Sequence, residues 1–176
     1  ASLMMNRMSS RVLVVASMML VLFILSCNIQ RKKLHSPRAN SVDSMLFDLG
    51  IQKQYGRMLV LTDSFELEGT LSMLDANRWR GVAYYHQGQY RMAEICYKKA
   101  LDCEVKSDED QLSYNKSARR LSALMVIKGD FEGALRVAVP AVKKMDESGI
   151  GADIDYAILL NNIGCCQLNL GQDREA

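Results

Sequence analysis

The sequence predicts an all-α fold: antiparallel helical hairpins preceded by an apolar N-terminal helix. Three observations carry that prediction. The composition is helical in character, with 49% apolar residues, 7% aromatic residues and two prolines in 176 positions, and β-branched residues do not gather in alternating runs. A grid of glycine and alanine recurs along the chain at near-constant spacing. The first charge-free apolar run is followed by a polar stretch and then by helix-periodic sequence to the end.

The leader comes first. Residues 12–26, VLVVASMMLVLFILS, carry no charge and follow Arg7 and Arg11. A basic start, an apolar stretch and small residues make the layout of a signal peptide. The run is short for a span, which needs about 20 residues to cross about 30 Å of hydrocarbon. Extension through Cys27, Asn28 and Ile29 reaches a marginal span. Ile24-Leu25-Ser26-Cys27 resembles the bacterial lipobox, in which the cysteine is acylated and becomes the new N-terminus. Two outcomes stand open: lipid on Cys27, or an uncleaved signal anchor. Residues 1–27 are therefore assigned as signal peptide or membrane anchor, which holds the rest at a membrane by lipid or by helix. Residues 28–41, NIQRKKLHSPRANS, read as a polar tether. Its Arg31-Lys32-Lys33 cluster is placed to meet lipid headgroups.

Residues 42–72 read as a degenerate capping helical pair. One helix spans 42–55 with Ser41 as N-cap, Gly56 breaks it, and a partner spans 57–69. The pair lacks the alanine grid, as terminal repeats often do. Further helices are expected at 73–87, 90–105, 109–128, 131–147, 153–170 and from 173 onward. Ser107 with Asp110 is an N-terminal capping signal for the long helix after it. Pro140 removes one backbone hydrogen bond inside a helix and is expected to kink it, because the spacing Leu135, Ala138, Val139, Val142 continues through it.

The grid is specific. Gly88, Gly129 and Gly171 lie 41 and 42 residues apart, and each is followed five residues later by Ala93, Ala134 or Ala176. Seven residues before each turn glycine stands a small residue: Gly81, Ser122 or Gly164. A glycine ends a helix by taking a left-handed backbone cheaply. The chain reverses, and the alanine falls about one turn into the second helix, facing the first. Small residues on both sides let two backbones approach closely. Tyr90 and Phe131, two residues past the turn, are expected to plug the hairpin.

This pattern resembles the tetratricopeptide repeat (TPR), whose motif reads W-x2-L-G-x2-Y, then A-x3-F. The copies here are Asn77-x2-Arg80-Gly81-x2-Tyr84 with Ala93-x3-Tyr97, Ala118-x2-Leu121-Ser122-x2-Met125 with Ala134-x3-Ala138, and Leu160-x2-Ile163-Gly164-x2-Gln167 ending at Ala176. The motif tryptophan is absent from each copy, although Trp79 lies nearby. Arg80 replaces a leucine and Asp173 an aromatic. The spacing exceeds the usual repeat of about 34 residues, as in the extended TPR variants of signalling proteins. The resemblance implies a right-handed superhelix with repeats at 73–108, 109–150 and 151–176, the last truncated, so that further repeats are expected beyond 176.

A protein or peptide ligand is what the resemblance implies, docked on the groove lined by the first helix of each pair. Groove positions carried over are Arg78, Arg119 and Asn161, with Tyr85 and Val126 one turn further along. Two arginines and an asparagine can grip a carboxylate or an acidic peptide backbone, as in the carboxylate clamp of some TPR domains. That clamp's asparagine one turn after the first basic residue is Val82 here.

No catalytic set and no cofactor is expected. The histidines are His35 in the tether and His86 before a turn; no glycine-rich phosphate loop occurs. Five cysteines without paired spacing argue against a disulfide framework or zinc. Cys96 and Cys103 share a helix face beyond bonding reach of each other, and Cys165 and Cys166 suit packing. Lys and Arg number 22 against 20 Asp and Glu. With Arg7 and Arg11 set aside in the leader, the rest is balanced, so this segment is not expected to bind nucleic acid.

These expectations meet in a non-enzymatic, peptide-binding module at the bacterial cell envelope, held outside the cytoplasm in the periplasm. The whole arrangement resembles the N-terminal sensor region of bacterial membrane-bound signalling or transcription regulators. A lipoprotein scaffold for envelope complexes and the accessory region of an envelope enzyme are the alternatives.

Overall fold

The computed structural model describes residues 37–150 and 154–171. The leader, Cys27 and the helix expected from 173 lie outside the described residues. Within them, all regular secondary structure is helical: α1 (Pro37–Ile51), α2 (Tyr55–Leu67), α3 (Met73–His86), α4 (Tyr90–Leu101), α5 (Asp108–Ile127), α6 (Phe131–Ser148) and α7 (Ile154–Asn169). None of these helices is long and apolar enough to cross a membrane.

The helices stack as a solenoid. Each of α2 to α6 packs on the helix that follows it, and the odd-numbered helices also touch one another, α3 on α5 and α5 on α7. That network is what serial hairpins produce, because each pair can bury its apolar stripe only against its neighbours.

The turns follow one device. Gly88 and Gly129 take φ of 76° and 77°. At the first, the Gln89 N–H donates to the Tyr84 carbonyl at 2.9 Å and the Gly88 N–H to Tyr85 at 3.0 Å. At the second, Asp130 N–H donates to Met125 at 2.9 Å and Gly129 N–H to Val126 at 3.0 Å. Both are Schellman closures that satisfy the last carbonyls of a helix. Gly171, at φ 75°, has the same backbone.

The grid residues sit where close approach demands. Ala93 and Ala134 are fully buried. A Cβ built on Gly81 would lie 2.6 Å from Tyr97 Cδ1, so the α4 ring rests directly on the α3 backbone. Ser122 is buried and its hydroxyl accepts a hydrogen bond from Asn162 Nδ2 at 2.9 Å, joining α5 to α7. Three apolar clusters result, centred on Trp79 with Leu46 and Met58, on Tyr97 with Leu121 and Leu124, and on Met145 with Leu159.

Helix starts are capped from their own side chains. Ser72 and Ser107 accept from the N–H of Asp75 and Asp110, each at 3.1 Å. Asp130 accepts from Gly133 N–H at 2.9 Å. These bonds satisfy orphan amide donors of the first turn. α6 runs unbroken through Pro140.

Four expectations are corrected. α1 begins at Pro37, not at 42, so Ser41 lies inside the helix and caps nothing. Proline at a helix start loses an N–H that has no partner there in any case. Gly56 does not break the first hairpin; it is the second residue of α2. The reversal uses Lys53 at φ 57°, with Gln54 N–H donating to the Leu49 carbonyl at 2.8 Å. α4 ends at Leu101, not 105, which leaves Cys103 beyond it. Tyr90 does not plug its hairpin; it is 48% exposed and leans on Tyr85 at a ring separation of 5.4 Å. Phe131, by contrast, packs on the Tyr97 cluster.

Candidate functional site: a cleft along the odd-numbered helices

Four helices contribute to one cleft of about 500 Å³. Its lining is Asp43, Phe47, Gly50 and Ile51 from α1, Arg78, Trp79, Val82 and His86 from α3, Lys116, Arg119 and Arg120 from α5, and Ile154 and Asp155 from α7. The even-numbered helices contribute nothing to it. Residues three and four apart on a helix share a face, which is why Arg78/Val82 and Lys116/Arg119/Arg120 appear together.

Arg78 and Arg119 both line this cleft, yet each is engaged internally. Arg78 is 4% exposed. Its guanidinium pairs with Asp43 of α1 and donates from Nε to Asp75 at 3.2 Å. Asp43 also accepts from Trp79 Nε1 at 2.7 Å. Asp75 in turn accepts from Ser113 of α5. One polar chain thus runs α1–α3–α5. Arg119 pairs with Asp155 of α7 and extends the same ladder. Charges taken out of water in this way hold only because each has a partner.

Tyr85, Val126 and Asn161 do not line the cleft. Tyr85 and Val126 are half-buried against the Tyr97 cluster. Asn161 is exposed on α7, whereas its neighbour Asn162 turns inward to Ser122.

Lys116 and Arg120 are the cleft cations that the sequence reading passed over. The signal was available in the spacing Lys116-x-x-Arg119-Arg120, which places all three on one face of α5. Arg120 lies against the Tyr97 hydroxyl, and burial followed by the nearby Arg119 and Arg78 charges lowers its pKa on balance. Burial pushes the Tyr97 hydroxyl up to about 12, so it stays protonated beside three guanidiniums.

His86 also lines the cleft. It stacks on Tyr55 with ring centroids 5.2 Å apart and planes at 6°, and meets Tyr85 edge-on at 5.4 Å. It is the last residue of α3 rather than a loop residue. Burial, then the Arg120 charge, holds its imidazole below the ordinary value. Among the described residues, no group of His, Cys, Asp and Glu side chains converges in a way that could hold a metal ion, and Cys96, Cys103, Cys165 and Cys166 are free thiols.

Residues 74–104 match the family model of the tetratricopeptide repeat. The match covers α3, α4 and the turn between them, the hairpin in which Gly81 meets Tyr97. No curated protein and no solved structure matches the chain. A TPR hairpin within an all-helical stack is typical of a protein–protein interaction module rather than of a catalyst.

Proposed function

We propose that this TPR-type chain is a peptide- or protein-binding module of the bacterial envelope, the sensory part of a membrane-bound signalling or transcription regulator. One observation carries the binding reading: α1, α3, α5 and α7 turn side chains into a single cleft while the even-numbered helices turn away. Stacked hairpins create such shared surfaces because successive repeats present equivalent positions side by side.

The periplasmic placement rests on the leader. Arg7 and Arg11 precede a charge-free run that ends at Ile24-Leu25-Ser26-Cys27, and lipid on Cys27 would hold the helices at the membrane surface. Arg78 and Arg119 set the groove's shape through their pairs with Asp43 and Asp155.

A photo-crosslinking phenylalanine analogue at Phe47, exposed in the cleft lining, tests the binding reading, with Arg136 on the exposed side of α6 as control. A partner trapped from cells at position 47 but not at 136 is the expected outcome. Trapping at 136 alone, or at neither position, would remove the cleft as the docking surface. Fatty-acid labelling of the wild type and Cys27→Ser tests the anchor separately. Equal labelling of the two would remove the lipid without touching the cleft.

A further inference from the structure

The cleft's cations outnumber its carboxylates. Arg78, Lys116, Arg119 and Arg120 line it, against Asp43 and Asp155. The internal pairs account for only part of this charge. Asp43 and Asp75 hold Arg78, and Asp155 holds Arg119. Arg120 is placed differently: it lies against the Tyr97 hydroxyl, with the positive Arg119 and Arg78 near it. A guanidinium cannot relieve such crowding by losing its proton. Lys116 lies one turn earlier on the same face of α5, half-buried at the same cleft. The ends of the cleft have another character. Phe47 and Ile51 on α1 are 59% and 66% exposed, and Ile154 on α7 is 71% exposed. Large apolar side chains gathered at one concave site mark a contact surface rather than scattered exposure.

We infer that the cleft takes an acidic peptide segment with apolar side chains on both sides of its carboxylates, and that Lys116 and Arg120 read its charge. This rests on the cleft being the docking site. Arg78 and Arg119 act as positioning residues, because their charges are committed to holding neighbouring odd-numbered helices. Carboxylates of the ligand meet the middle of the cleft, where a partly buried guanidinium gives strong charge-assisted hydrogen bonds. Apolar ligand side chains cover Phe47 and Ile51 at one end and Ile154 at the other. A polynucleotide is the less suitable occupant, since the carboxylates of Asp43 and Asp155 stand in the lining and the chain beyond the leader is charge-balanced.

The test uses the full 176-residue chain in neutral detergent and fluorescence anisotropy. The probes are an end-capped Leu-Asp-Glu-Asp-Leu peptide, its Asn/Gln isostere, a version with serine for both leucines, and a single-stranded oligonucleotide. Expected are binding of the acidic peptide that weakens with added salt and a loss of about tenfold or more for the isostere, the size of one charge-assisted contact. The serine version should bind less tightly as well. Lys116→Gln should weaken the acidic peptide several-fold at an unchanged melting temperature; Arg120→Gln should do the same, and Lys116→Gln decides should that variant fail to fold. Equal binding of the isostere, or unchanged affinity in Lys116→Gln, overturns the inference, as does tighter binding of the oligonucleotide. In each of those cases trapping of a protein partner at position 47 still supports the module itself.

Discussion

Where α3 meets α4, a glycine backbone lies under a tyrosine ring and Ala93 is shut away from solvent. Where α1 meets α3, the contact is a carboxylate: Asp43 holds Arg78 and the Trp79 indole, over large apolar residues Leu46 and Met58. The two hairpins also turn differently. Gly88 ends α3 in the left-handed region, while Lys53 occupies that region between α1 and α2. The repeats thus interlock by the absence of side chains, and the N-terminal pair by the presence of large and charged ones. Interlocking by close backbone approach tolerates little change in volume. A polar clamp can lose one partner and keep another.

Gly81→Val breaks the first arrangement at its tightest point. With the Tyr97 ring fully buried beside it, neither side has room to move. A loss of about 3 kcal/mol is expected, read from the urea midpoint, with Ser122→Ala costing much less. An equal loss in both would mean that the two grid positions do not differ in packing.

Asp43→Ala acts on the second arrangement. It leaves Trp79 Nε1 without its acceptor and Arg78 with Asp75 alone. About 2 kcal/mol is expected, confined to one end: amide exchange should accelerate in α1 and α2 while α5 to α7 keep their protection. Uniform acceleration would show one cooperative unit.

Lys53→Gly sharpens the comparison from the other direction. It gives the first hairpin the residue that the repeats use, so stability should rise by up to about 1 kcal/mol. Gly88→Lys should lower it by a similar amount. Calorimetry on both variants checks the sign.

The smallest effect is electrostatic. Glu94 of α4 pairs with Lys128, the residue that follows α5, and with Lys98 at 2.7 Å. Hydrogen bonds from Lys128, then Lys98, hold its carboxyl below the ordinary value. Its contribution is therefore present above the unfolded carboxylate's pKa and lost as pH falls through the lower folded one. Glu94→Gln should cost below about 1 kcal/mol near neutral pH and nothing in strong acid. His86 has the opposite chemistry and the same direction. Its folded pKa is lowered, so the folded state resists protonation and stability declines as pH drops below the ordinary histidine value. His86→Gln should flatten that part of the profile.

Much of the fold was legible in local sequence. Gly88 and Gly129 announce left-handed turns, Ala93 and Ala134 announce close packing, and Ser107 with Asp110 announces a helix start; each needs only a few neighbouring residues to be read. The site was legible in part. The repeat register brings Arg78 and Arg119 to one surface, but it could not show that their charges are already taken. Their partners, Asp43 and Asp155, lie 35 and 36 residues away, on helices that touch only after folding.

The sequence by itself determined where the chain turns and which positions must stay small, because backbone conformation and side-chain volume act within a hairpin. Tertiary structure alone decided which charges face one another. Ion pairing depends on distances of a few ångströms between separate helices, so only the stacked odd-numbered helices could commit Arg78 and Arg119 to structure and leave Lys116 and Arg120 facing a cleft rimmed by Phe47, Ile51 and Ile154.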